Sequence, residues 1–145
     1  MKTLQKPSDA FIFASWVSLI VGVSSFLAGL WNSSMELNQK GYYFTLILLG
    51  LFSAISLQKS VRDKLEDIPV TGIYMGICWF TFFISILLVT VGLWNSTMLL
   101  SEKGFYAIAF FLSLYSSIAV QKNIRDMAHF PSEEEPQQSD ISSPH

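Results

Sequence analysis

The sequence predicts an all-α integral membrane protein of four transmembrane helices, formed by a parallel tandem repeat of a two-helix hairpin with both termini in the cytoplasm. Three observations carry that prediction. No Asp, Glu, Lys, Arg or His occurs in residues 10–35, 41–58, 68–101 or 104–121. The motif GLWNSSM at 29–35 returns 63 positions later as GLWNSTM at 92–98. Of the nine Lys and Arg residues, only Lys40 and Lys103 fall in the short hairpin loops.

A hydrocarbon core about 30 Å thick is crossed by roughly 17 to 25 apolar residues of helix, so each charge-free window contains one span. The composition agrees, with 51% hydrophobic and 14% charged residues where a soluble domain carries about 25% charged. Polar residues within the windows are mostly Ser and Thr, whose hydroxyls bond back to helix carbonyls. A β-barrel strand would alternate polar and apolar residues, and TLILLGLF at 45–52 does not.

Residues 1–9 form a short cytoplasmic tail bearing Lys2 and Lys6. The first repeat, 10–64, holds helices at about 10–31 and 41–58, and the second, 65–127, holds helices at about 70–94 and 104–121. The first helix is longer than a secretory h-region and no Ala-x-Ala site follows it, so it reads as a retained span. Pro69 suits the first position of the third helix, where its missing N–H costs nothing. From 128 to 145 the chain turns acidic and Pro-bearing, the composition of a disordered tail.

The repeat also maps Trp16 onto Trp79, Lys40 onto Lys103, Tyr43 onto Tyr106 and Arg62-Asp63 onto Arg125-Asp126. Two helices per unit send both copies into the membrane from the same side, unlike the inverted repeats of many transporters. Lys2, Lys6, Lys59, Arg62, Lys64, Lys122 and Arg125 lie in the tails and central loop, which places those segments inside. Small residues at four-residue spacing, including Ala14, Ser18 and Gly22, Ser25 and Gly29, Gly72 and Gly76, and Ala109, Ser113 and Ser117, predict close helix approach.

Two duplicated motifs are the candidate sites. At the outer hairpins, Trp31, Asn32, Lys40 and Tyr43 recur as Trp94, Asn95, Lys103 and Tyr106. They form either a symmetric polar pocket or an interfacial anchor; we read them as anchors, because Trp and Tyr favour the interface and Lys snorkels toward water. The glycosylation sequons at Asn32 and Asn95 read as incidental in loops this short. At the inner exits, Lys59, Arg62 and Asp63 recur as Lys122, Arg125 and Asp126. Cations there complement the helix dipole and an anionic leaflet, and they are candidates for lipid or partner contact.

No Ser-His-Asp or Cys-His set can be assembled within the spans, since His129 and His145 both lie in the tail and Cys78 is the single cysteine. No catalytic residue, metal site or cofactor is expected. Coupled transport normally needs an ionisable group inside the membrane, and the windows hold none.

On GLWN at 29–32 and 92–95, KGYY at 40–43, KGFY at 103–106 and the two exit motifs, the chain resembles the YiaA/YiaB family of bacterial inner-membrane proteins, in its duplicated YiaA form. The resemblance spans roughly residues 8–126. It implies the bacterial inner membrane and supplies no functional residue. The expected function is a non-enzymatic structural, assembly or stress-related role through helix packing or partner contacts. The alternatives are an uncoupled small-solute channel or transporter formed by oligomerisation and a lipid-interacting protein. Expected partners are the lipid bilayer and a homo-oligomer or another membrane protein, with no nucleic acid.

Overall fold

The computed structural model describes residues 6–130, and they form four helices: α1 Asp9–Trp31, α2 Leu37–Leu65, α3 Gly72–Trp94 and α4 Leu100–Met127. Each is long and apolar enough to cross a membrane. The acidic tail expected from 128 lies outside the described residues from 131 onward.

Local chemistry sets the helix ends. Ser8 caps α1 by accepting from Phe11 N at 3.2 Å, and Thr71 caps α3 by accepting from Tyr74 N at 3.3 Å. That cap corrects one expectation. Helix α3 opens at Gly72 and not at Pro69, because the Thr71 hydroxyl accepts from an N-terminal N–H, whereas a start at Pro69 would make Ile68, which has no side-chain acceptor, the cap. Asn32 and Asn95 close α1 and α3, each turning its side-chain amide back onto a carbonyl four residues earlier.

Helices α2 and α4 run past their apolar windows 41–58 and 104–121 at both ends. Their exit segments contain no Gly or Pro and carry Lys–Asp pairs at i, i+4, so nothing in them stops the helix. Helix α2 ends only at Asp67, whose φ of 59° is left-handed. Ile68 N then donates to Asp63 O at 2.8 Å and Asp67 N to Lys64 O at 3.3 Å, the double closure of a Schellman turn.

The packing crosses the repeats. Helix α1 packs chiefly on α4 and α3 chiefly on α2, α2 and α4 meet in the centre, and of the helix pairs in contact the two of one hairpin touch least. Pairings such as Ser15 with Asn123 and Gly29 with Phe105 run α1 antiparallel to α4. Cys78 with Ser60 and Gly92 with Tyr42 do the same for α3 and α2. Each hairpin therefore clasps the other, about a pseudo-twofold axis between α2 and α4.

Small residues permit these approaches at Gly22 and Gly29 on α1 and at Ser113 on α4, whereas Ala14 is exposed. A Cβ on Gly22 would stand 2.8 Å from Ser113 Oγ and 3.1 Å from Ser113 N. Gly72 and Gly76 do not serve this purpose: a Cβ there meets nothing within 4 Å, because the first turns of α3 stand clear of the bundle. Buried hydroxyls of Ser53, Ser60, Ser85, Ser113 and Ser117 donate to carbonyls of their own helices at 2.7–3.0 Å. Each bond avoids a desolvation cost of about 1–3 kcal/mol. Phe26, Ile47, Ala54, Phe110 and Leu114 fill the space between.

Candidate functional site

The pseudo-twofold brings the two copies of each motif together at opposite ends of the bundle. At the exit end, Arg62 donates to Asp126 and Arg125 donates to Asp63, a reciprocal exchange between repeats. Lys59 Nζ reaches Asp63 Oδ2 at 2.9 Å, and Lys122 Nζ reaches Asp126 Oδ2 at 2.8 Å. The arginines and aspartates are mostly buried, whereas the Lys59 and Lys122 side chains stay 56% and 52% exposed.

Glu66 completes the cluster. Its carboxylate accepts from Arg62 Nε at 3.0 Å and from Arg125 Nη2 at 3.0 Å, and His129 Nε2 donates to it at 2.9 Å. Hydrogen bonds from His129 and both arginines hold its pKa down from 4.5 to about 2. The sequence pattern missed Glu66 and His129 as a pair. The signal was present, since the 63-residue offset maps Glu66 onto His129, an acceptor onto a ring able to donate, and so able to meet across the axis.

At the loop end, Tyr43 and Tyr106 stack across the axis with centroids 6.4 Å apart. Phe26 meets Tyr106 edge-on at 5.6 Å. Gly92 lets the Tyr42 and Tyr43 rings close onto α3, and Gly29 does the same for Phe105 and Tyr106 on α1. Trp31 and Trp94 both stand 82% exposed. Lys40 Nζ donates to Trp31 O at 3.2 Å and Lys103 Nζ to Trp94 O at 3.4 Å, so each lysine closes a helix C-terminus in its own repeat.

Two equivalent polar pockets flank the stacked tyrosines. One, of about 420 Å³, includes Asn38, Gln39, Asn95 and Thr97. The other, of about 470 Å³, includes Ser101, Glu102, Asn32 and Ser34. Each combines the loop of one repeat with the second helix of the other, and Met35 and Met98 line both. Asn32 and Asn95 thus reach the pockets, while Lys40 and Lys103 do not line them. Among the described residues, no group of three or more His, Cys, Asp or Glu is placed to hold a metal ion.

Both ends are built from motifs that recur at one fixed offset, and comparison with known families finds the same unit. The family described as "yiaA/B two helix domain" matches residues 11–63 and again 74–126. The chain belongs to the YiaAB family. Among its relatives, Inner membrane protein YiaA of Escherichia coli is 58% identical over 127 residues, covering 88% of each chain. Inner membrane protein YiaB of the same organism is 28% identical over 68% of this chain and 84% of its own length. Uncharacterized membrane protein YubF of Bacillus subtilis is 41% identical over 46% of this chain and 77% of its own. No solved structure matches. With inner membrane proteins as relatives and four candidate spans, this YiaAB chain is a membrane protein, and its helices imply a lipid bilayer around them.

Proposed function

We propose that this YiaAB protein is a non-enzymatic membrane scaffold that acts through its peripheral helices, with both termini and the central loop in the cytoplasm. The observation that carries the proposal is the division of labour among helices. The central pair α2 and α4 is the more buried, while α1 and α3 turn most of their length outward. Phe13, Ile20, Ile73 and Phe80 are among the large side chains they expose. These faces are available to a homo-oligomer or to another membrane protein. The ionisable groups at the exit end are engaged with each other, which suits a rigid frame and leaves Arg62 and Arg125 little capacity for a lipid headgroup. Structural or assembly support, including under stress, is the role such a frame performs.

Crosslinking of the full chain in native membranes, followed by mass spectrometry, tests this. A reproducible partner peptide joined to α1 or α3 is the expected result. Solute flux in proteoliposomes holding this protein alone would overturn it in favour of the oligomeric channel. Orientation follows from the seven Lys and Arg outside the hairpin loops. A reporter active only in the periplasm, fused after Ser139, is expected to be silent.

A further inference from the structure

The molecule departs from its own symmetry at one place that bears on ligand binding. Because the helices of one hairpin touch little, a crevice runs between α3 and α4 at the loop end, with a volume of about 560 Å³ and an almost wholly apolar lining. Val89 and Ala107 form its walls and Phe111 flanks them. The equivalent positions of the first repeat, 63 residues earlier, carry Phe26 and Phe44. Phe26 is fully buried against Tyr106 and Phe110 of α4, so the first repeat carries a ring at a position where the second carries the smaller Val89.

The crevice has one charged group. Lys103 lines its mouth beside Trp94, and among the described residues one of its three N–H donors is engaged, at 3.4 Å from Trp94 O. From Trp94 down to Ile86, its deepest residue on α3, the helix descends about 12 Å at 1.5 Å per residue. One leaflet of hydrocarbon is about 15 Å deep, half of the roughly 30 Å core. A second apolar cavity of about 550 Å³ shares Ile86 and Thr90 and extends the track along α3 to Trp79.

We propose that this crevice binds one phospholipid, its acyl chain lying between α3 and α4 and its phosphate on Lys103. An apolar slot at membrane depth gains dispersion contacts from a chain that fills it and loses them if left empty. A cation at the lipid–water boundary adds a charge-assisted bond to the phosphate. Neither step depends on the scaffold role or on which side of the membrane the loops face. The first repeat supplies an internal control, because Lys40 holds the same post beside Trp31 with the aromatic ring of Phe26 in place of Val89.

Native mass spectrometry of the full chain, released from nanodiscs of mixed phosphatidylglycerol and phosphatidylcholine, reads the site directly. One retained phosphatidylglycerol per chain is expected. Ala107→Phe should lower its occupancy by at least about tenfold, and Lys103→Gln should reduce the preference for the anionic lipid about fivefold. Lys40→Gln should leave both unchanged. Wild-type retention in Ala107→Phe would overturn the proposal. So would an equal loss in Lys40→Gln and Lys103→Gln, which would place the lipid in the general annulus. If Ala107→Phe does not fold, Gly104→Leu fills the same crevice from a position whose Cβ meets nothing within 4 Å.

Discussion

The two ends of the bundle join the same pair of helices by opposite chemistry. At the loop end, α2 and α4 are held by stacked Tyr43 and Tyr106 with Phe26 beneath, contacts that carry no charge. At the exit end they are held by Arg62, Asp63, Arg125 and Asp126 exchanged across the axis, with Glu66 and His129 outside them. The first kind of joint is indifferent to pH across the acid and neutral range, and the second is governed by it. One end is therefore a fixed seam and the other a seam that proton concentration can loosen.

The largest effect should come from removing the aromatic seam. Tyr106→Ala leaves a void against Phe26 and Tyr43 and is expected to cost about 3–5 kcal/mol, read by reversible unfolding in detergent, with the same loss at every pH tested. Next comes Arg125→Ala, which takes from Asp63 one of its two cations, with Lys59 remaining, and from Glu66 a further donor, at a cost of about 2 kcal/mol. Adding Asp63→Asn should recover part of that loss, and a double-mutant cycle that is merely additive would show the pair to be uncoupled.

Acid sharpens the contrast. Because folding lowers the Glu66 pKa from 4.5 to about 2, its contribution is complete above about pH 4.5 and disappears as pH falls toward 2. The melting temperature of the wild type should drop across that window. Glu66→Gln should melt lower at neutral pH and show a shallower decline. The smallest effect is expected at Asp67, where a left-handed φ of 59° is easier for glycine. Asp67→Gly should stabilise by about 0.5–1 kcal/mol, and a loss there would indicate that the aspartate side chain is needed at the turn.

Four charge-free windows were enough to reveal the four helices, because a bilayer imposes length and polarity on each span independently of its neighbours. Which helix packs on which was a different matter. The 63-residue offset is a relation along the chain, and it is equally compatible with hairpins that close on themselves and hairpins that clasp each other. Gly22 against Ser113 decides between them only in three dimensions. The four-residue spacing of Gly72 and Gly76 matched that of Ser18 and Gly22 and of Ser25 and Gly29, yet Gly72 and Gly76 face open space while Gly22 and Gly29 face helix α4. At the exit end the motif Arg62-Asp63 was legible as a basic anchor, but its partner set was not. Reciprocal pairing requires knowing that residue 62 meets 126 and not a lipid.

The clasped repeats also bear on how the protein is made. Helix α1 meets its principal neighbour α4 only after most of the second hairpin has been synthesised, and Gly22 waits for Ser113, 91 positions later. At about 5–20 residues per second, that interval lasts roughly 5–18 s. During it, Arg62 and Asp63 have no cross-repeat partner and Gly22 has no helix against it. The nascent first half must wait in the bilayer as two loosely associated spans, so the last turn of α4 is the step that locks every earlier one.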